Sequence, residues 1–476
     1  MTPSAGKEYS TLPQLLAAQG RRLGGSKVAL REKKYGIWQE VSWERYAAEV
    51  RAVCLGLVRL GLAPGDTIAV ISGNRPAWLY VELAAQSAGA IPLGIFADSG
   101  PESVTQILAH SEARFAMVED QEQADKVLGA RAAVPRLEGI IAADMRGLEG
   151  YGDAAIVSLD QVAATGRDEP AREADRYAEL LARGRADDVA LLAYRPEPAG
   201  GAPRAAMISH RNLLAMAEGV TGVDRIRERD EIFSLVPFAW MSEQLISVAI
   251  ALSTGATVNF PEEPETMRED LQEIGPHLMI APRRFWEALC AECQSKIADA
   301  GAVKRAVTRV ALEMGRRVAA GQGGRGLYGV AYALALRSML DKLGFSRIRY
   351  AYADGPPLGR DVLEFFRALG VNLKQVYGRA ETSGICVLQR DGEVRVGTVG
   401  TPAPGTRVRI APDGEVLIAS ESVFLGYYKD PGATASTLDD GWLRTGDSGS
   451  LDDHGHLVVL TEETAGRGHR PPTDTG

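Results

Sequence analysis

The chain lacks the features that would tie it to a membrane or to an oxidising compartment. No run approaches the roughly 18 consecutive apolar residues that a bilayer-spanning helix needs. Met1 to Tyr9 is polar, so no signal peptide is expected. Four cysteines in 476 residues exclude a disulfide framework. Cys290 and Cys293 form a CxxC pair, but in a helical stretch with no second pair to complete a zinc site. Two helix thiols in a reducing cytosol are the better reading. A basic excess is lacking as well. Lys and Arg number 53 against 62 Asp and Glu, a net charge of −9, which gives no footprint for nucleic acid. What is present is ordinary for a soluble globular protein, with 45% hydrophobic and 24% charged residues. The length allows a large core and more than one domain or subdomain.

The N-terminal half alternates between helical and strand periodicity. Leu12 to Leu23 reads as an amphipathic helix, and Val28 to Leu30 with Gly36 to Trp43 as a strand pair. Ser42 is a candidate N-cap for a helix reaching Leu60. Strands are expected at Thr67 to Ile71, Ala90 to Gly94 and Arg114 to Glu119, with helices at Arg75 to Gly89 and Pro101 to Ser111. Such alternation with short connections predicts a mostly parallel sheet covered by helices. Residues 165 to 187 read as a surface connection.

The stretch from Leu191 to Asn212 organises the rest. Val189 to Tyr194 reads as a buried strand. A loop with Pro196, Pro198, Pro203 and the adjacent Gly200 and Gly201 follows, and Ser209-His210-Arg211-Asn212 opens an amphipathic helix. A glycine loop between a strand and a helix is a common polyphosphate cradle, because glycine lets backbone N–H groups approach the anion. An ordinary surface turn has the same local composition.

The flanks of this loop resemble the phosphate loop of the adenylate-forming acyl-CoA synthetases, Y-T-S-G-T-T-G-x-P-K-G followed by S-H-x-N-L. Leu191-Leu-Ala-Tyr194 and Met207-Ile-Ser-His-Arg-Asn-Leu213 match it. The centre departs. Arg195, Pro196, Pro198 and Ala199 replace hydroxyls, Glu197 adds a negative charge, Arg204 stands at the lysine position, and there is one extra residue before Pro203. Each lost charge-assisted hydrogen bond to phosphate is worth roughly 1.5–3 kcal/mol. Arginine also binds phosphate, but with a different fork. Segments Arg31 to Glu40, Gly73 to Leu79, Gly89 to Ser99, His110 to Phe115, Asn259 to Thr266 and Ala281 to Glu287 resemble the long-chain branch of that family.

The resemblance implies further site residues. Gly355-Pro356-Pro357-Leu358, after a strand at Ile348 to Ala353, is similar to the G-x-P-L motif whose backbone packs on adenine. Tyr377-Gly378-Arg379-Ala380-Glu381 is similar to Y-G-x-T-E, in which the tyrosine stacks adenine and the glutamate helps to hold Mg²⁺. Ala380 lacks that motif's hydroxyl. A carboxylate at the phosphate end is what Mg²⁺ requires. A helix-capping role is the alternative for Glu381. Asp447, in Thr445-Gly446-Asp447, falls where the family's aspartate accepts from ribose hydroxyls, and a buried carboxylate suits that role. Trp240 falls between nucleotide and acyl group, although a core tryptophan explains it equally well. Gly200, Gly201 and Arg204 complete the nucleotide-binding set, with Glu381 as the catalytic and Mg²⁺-binding residue.

The implied fold is α/β, the large N-terminal domain of adenylate-forming enzymes: two mostly parallel sheets flanked by helices plus a small β subdomain. Residues 1–395 are expected to form the acyl- and nucleotide-binding subdomains and residues 396–460 the β subdomain, with strands at Val399 to Gly405 and Gly414 to Ser420. Residues 461–476 read as a disordered polar tail, where the family's Arg-x-Lys-Asp hinge and C-terminal lid domain are expected and not found. The implied reaction uses ATP, Mg²⁺ and CoA to convert a long-chain fatty acid to acyl-AMP and then acyl-CoA, impaired in this chain. The alternatives are an inactive relative that binds acyl group or nucleotide, and a truncated or frameshifted fragment. A cytoplasmic location is expected. Peripheral membrane contact is a further option, on a basic helical stretch from Ala302 to Leu343 with Lys304, Arg305, Arg309, Arg316 and Arg317, for which a solvated face is the plainer reading.

Overall fold

A computed structural model describes residues 9–153, 155–168, 175–195, 202–319, 321–322 and 325–460. The polar tail for which disorder is expected, and Glu197, Gly200 and Gly201 of the loop, lie outside the described residues.

Two large sheets form the body. One has eight strands in the order Gly426–Tyr427, Ala205–Ser209, Val189–Tyr194, Ile91–Ile95, Thr67–Ile71, Phe115–Val118, Gly139–Ala142 and Ile156–Ser158. From Val189–Tyr194 onward its neighbours run parallel. The other has nine strands, in the order Thr401–Pro402, Gly384–Leu388, Leu373–Arg379, Tyr350–Asp354, Leu278–Pro282, Glu231–Phe233, Thr257–Phe260, Val28–Lys34 and Ile37–Ser42. Its central pairs are parallel and its edges antiparallel. Both faces of a parallel sheet are covered, so such strands are apolar on both sides. Thr67–Ile71 and Thr257–Phe260 are accordingly buried at every position. The expected mostly parallel α/β architecture holds.

Local signals place the helices closely. Leu12–Leu23 and Pro101–Ser111 coincide with their expected bounds. Ser42 caps the helix Trp43–Arg59 by accepting from the Arg45 N–H. Cys290 and Cys293 lie buried on Arg283–Ala298, and burial pushes both thiols up to about 11. The helical stretch after Ala302 divides, as its glycines suggest, into Ala302–Ala319 and a second run from Arg325 to Leu343.

Two expectations change. The loop after Tyr194 does not run from strand to helix. Ala205–Ser209 forms a strand antiparallel to Val189–Tyr194, so residues 195–204 join a hairpin, and the helix His210–Val223 begins at its far end. The helix dipole therefore acts away from the loop, because it falls off within a turn. The run Ala205 to Ser209 was hidden because its two alanines carry little β signal. The second change concerns Val399 to Gly405. Its short strand Thr401–Pro402 joins the nine-stranded sheet, and the small sheet comprises Arg407–Ile410, Glu415–Ala419, Leu438–Asp439, Trp442–Leu451 and Leu457–Leu460.

The core holds charged groups. Lys374 Nζ, fully buried on its strand, bonds to Asp224, which also accepts from the Tyr352 hydroxyl at 2.7 Å. Glu243 Oε1 accepts from Ser234 and Ser247 hydroxyls at 2.5 Å each, while its Oε2 has no hydrogen-bond partner. Burial pushes the Glu243 carboxyl up to about 7.

Two predictions follow from these groups. Lys374→Met leaves Asp224 as a buried charge and is expected to cost about 3–5 kcal/mol. Arg22→Ala, which breaks the exposed pair with Glu228, is expected to cost about 1 kcal/mol or less. Urea denaturation of both variants checks the contrast. Glu243 has a pKa raised in the fold, so its contribution is fully present below its unfolded value and lost as pH rises through about 7. Thermal melts of Glu243→Gln against the parent are expected to favour the variant increasingly from pH 5 to pH 8, by on the order of 3 kcal/mol.

Candidate active site

The carboxyl ends of the parallel strands in the nine-stranded sheet face the hairpin of the eight-stranded one, the usual place for a ligand in open α/β sheets. Strand Leu373–Arg379 ends in Tyr377, Gly378 and Arg379, and the tight turn Ala380–Thr382 carries Glu381. The turn doubles back so closely that a Cβ on Gly378 would stand 1.7 Å from the Gly384 carbonyl oxygen. No other residue fits there. Gly355 follows strand Tyr350–Asp354 with φ +88°, a left-handed conformation that glycine adopts freely. Asp447 comes from Trp442–Leu451 of the small sheet.

These residues form one charge cluster. The Tyr377 hydroxyl and Arg379 Nη1 both donate to Asp447 Oδ2, each at 2.7 Å. Burial, then the Asp447 charge, pushes the Tyr377 phenol above its ordinary range. Burial pulls the Arg379 guanidinium down, but Asp447 and Glu381 outweigh it and the net shift is upward. Glu381 is buried. Its Oε1 accepts from the Tyr427 hydroxyl at 2.7 Å and lies 3.5 Å from Arg195 Nη1. Its Oε2 lies 3.6 Å from Arg379 Nε and has no hydrogen-bond partner. Burial and the Glu381 charge push Tyr427 up to about 12.

The cluster lines a cleft of about 350 Å³, whose walls include Arg195, Gly355, Pro356, Tyr377, Gly378, Glu381 and Asp447. A more apolar annex of about 250 Å³ adjoins it across Gly378 to Ala380, with Phe96, Trp240, Met241 and Ile385 in its walls. Trp240 is half-exposed and meets Phe96 edge-on at 6.4 Å between ring centroids.

The structure thus brings together Gly355, Pro356, Tyr377, Gly378, Glu381 and Asp447 at the cleft, with Trp240 at its annex. Arg204 is not in the cleft wall. It stacks over the Tyr427 ring at 5.1 Å, one residue removed from Glu381. Asp447 is not the buried carboxylate expected; its side chain is 30% exposed, because it faces the open cleft. Glu381 does not cap a helix; its carboxylate faces Tyr427 and two guanidiniums. Arg195, Arg379 and Tyr427 had no role in the sequence reading. The charge inside Tyr377-Gly378-Arg379 was the available signal for one of them. Tyr427, 46 residues from Glu381, had none.

The motif after the loop proves to be a structural tie. Ser209 and Asn212 form a reciprocal cap, and Asn212 Nδ2 donates to the Glu421 and Val423 carbonyls at 2.7 and 2.9 Å. His210, pulled down to about 3 by burial, is neutral, and its Nδ1 accepts from the Leu12 N–H.

Comparison with known proteins bears on the family and the fold. The AMP-binding enzyme family matches residues 16–428. The long-chain-fatty-acid–CoA ligase FadD15 of Mycobacterium bovis is 29% identical over 431 residues, covering 89% of this chain and 70% of that protein. The long-chain-fatty-acid–CoA ligase ACSBG2 of Xenopus laevis is 26% identical over 475 residues, covering 95% of this chain but 63% of its own length. In fold, the anthranilate CoA ligase AuaEII in complex with anthranoyl-AMP superposes with a TM-score of 0.73 at 19% identity, over 96% of this chain and 78% of that one. The N-terminal domain of FACL13 from Mycobacterium tuberculosis gives 0.67 at 17% identity, over 95% of this chain and 100% of that domain.

Proposed function

The chain belongs to the AMP-binding enzyme family, and on that premise we propose that its cleft takes ATP, its annex takes a long-chain fatty acid, and the acid is activated there as an acyl adenylate. CoA is the acyl acceptor of the second step, in keeping with the names of the relatives. One observation carries the reading: an aromatic face, a partly exposed carboxylate and two arginines share a cleft, and an apolar annex adjoins it at Gly378 to Ala380.

The residues divide the work. Tyr377 offers its ring to the adenine, with the Gly355–Pro356 backbone beside it. Asp447 Oδ2 already takes Tyr377 and Arg379, which leaves Oδ1 for ribose hydroxyls. Arg195 and Arg379 bring positive charge to the phosphates, with Gly200, Gly201 and Arg204 in the loop beyond. The fatty carboxylate attacks the α-phosphorus, and pyrophosphate leaves with its electron pair. Positioning and charge stabilisation dominate such chemistry. Glu381 suits Mg²⁺, because its Oε2 is a buried anionic oxygen with no hydrogen-bond donor. Bound there, the ion would neutralise phosphate charge. Among the described residues no cluster of three or more candidate ligands stands, so phosphate oxygens would complete the shell. A division into an acyl- and nucleotide-binding body and a β subdomain after residue 395 is part of the same reading, with Thr401–Pro402 and Gly426–Tyr427 returning to the sheets of the body.

Arg195 favours a second reading. Its guanidinium at 3.5 Å already answers the Glu381 charge, which suits a chain that holds ligand without turnover. Calorimetric titration with Mg·ATP is expected to give heat, and Asp447→Ala to weaken binding roughly 10- to 150-fold, the loss of one charge-assisted hydrogen bond. Pyrophosphate release on adding hexadecanoic acid separates the readings. Release supports activation, and binding without release supports the second. No heat with ATP would remove the nucleotide site.

Among the described residues no helix is long and apolar enough to cross a membrane. Helix Ala302–Ala319 nevertheless exposes Val303, Val307 and Val310 beside Lys304, Arg305 and Arg309. We read this as a peripheral contact for an anionic bilayer in a cytoplasmic setting, since apolar insertion and charge attraction add. Co-sedimentation is expected with vesicles containing phosphatidylserine and not with phosphatidylcholine alone. Replacing all three valines by serine is expected to abolish it, and equal binding to both vesicles would overturn the reading.

A further inference from the structure

Behind the annex lies a second, much narrower hollow. Ala193, Ala239 and Met241 line both, so the two adjoin. The hollow is walled by Leu93, Leu191 and the stacked rings of Trp78 and Phe238, whose centroids are 5.6 Å apart. It is kept open partly by Gly94, where a Cβ would stand 2.9 Å from the Trp78 ring and 3.0 Å from Ala239 Cα. Its inner room is about 10 Å³, the size of one water-like group.

This apolar recess also holds polar groups. Glu82 and Gln244 line it, exposed by only 2% and 4%. Glu82 Oε2 accepts from Trp78 Nε1 at 2.7 Å and from Gln244 Nε2 at 2.8 Å. Gln244 Nε2 also donates to the Phe238 carbonyl at 3.1 Å. Glu82 Oε1 and Gln244 Oε1 are left with no hydrogen-bond partner. Buried acceptors are almost always satisfied, and an orphan asks for an explanation. Here two orphaned acceptors belong to side chains that are bonded to each other and share the wall of a hollow with room for one small group. Burial pushes the Glu82 carboxyl up to about 7, so near neutrality it can carry a proton and donate as well as accept.

We infer that Glu82 and Gln244 form a polar terminus to the acyl pocket and recognise a hydroxyl carried by the acyl chain. The hydroxyl enters the hollow and donates to one orphaned oxygen, and the methylenes before it lie in the annex against Ala239, Trp240 and Met241. An unsubstituted chain would leave both acceptors without a donor in an apolar wall, and a site built to bond a hydroxyl rejects the analogue lacking it. The inference rests on the acyl-binding reading above.

The test is the affinity of the whole chain for octanoic, dodecanoic and hexadecanoic acids and for their ω-hydroxy counterparts, by calorimetry. At least one hydroxy acid is expected to bind roughly tenfold or more tightly than its parent. Glu82→Leu and, independently, Gln244→Met are expected to abolish that preference while keeping the parent acid bound, and Glu82→Gln to retain part of it. Two variants guard against the loss of one to misfolding. Equal affinity of every acid and its hydroxy form, or a preference unmoved by both variants, overturns the inference and leaves acyl binding standing. Failure of all the acids to bind overturns both.

Discussion

Three sheets meet at one carboxylate–guanidinium cluster, and the arrangement of the site depends on it. Tyr377 and Arg379 belong to the nine-stranded sheet, Asp447 to the small sheet, and Tyr427 to the eight-stranded one. Arg379 lies between Asp447 and Glu381, so one guanidinium answers two carboxylates from different parts of the chain. A buried charge without a partner is strongly destabilising. Moving any of the three sheets would strand one of these groups, and the cleft keeps its shape for that reason. Gly378 is the steric counterpart, since the turn presenting Glu381 closes only where a side chain is missing.

The faithfulness of the loop's flank has a physical explanation. Ser209, His210 and Asn212 hold the fold: they cap a helix, accept from the Leu12 N–H and tie down the segment from Glu421 to Val423. Their replacement would leave buried groups unpaired. Arg195, at the start of that loop, does reach the site and pairs with Glu381. The pairing gives the phosphate end a fixed positive charge of the chain's own.

Buried polar groups differ in what they leave over. Lys374, Asp224 and Tyr352 satisfy one another in the middle of the nine-stranded sheet, with nothing left over for a ligand. Glu381, Glu82 and Gln244 each keep an oxygen unmatched, and each lines a cavity. Unmatched acceptors beside empty space are poised for binding, whereas Glu243 keeps one without lining any of these cavities.

The amino-acid sequence by itself determined the α/β class and the run of elements from Leu12 to Val118. Apolar runs such as Thr67–Ile71 and caps such as Ser42 act over a dozen residues or fewer, and their periodicity is written where they act. It also marked Tyr377, Gly378, Glu381 and Asp447, whose spacing resembles a known family's. Tertiary structure decided the rest. Ala205–Ser209 is a strand because Val189–Tyr194 offers it hydrogen bonds, not because its alanines favour one. Arg379 meets Asp447 across 68 residues, Arg195 meets Glu381 across the boundary of two sheets, and Gln244 meets Glu82 across 162 residues. Such pairings follow from which strands lie side by side and from the cost of leaving a buried charge alone, and no local pattern records either.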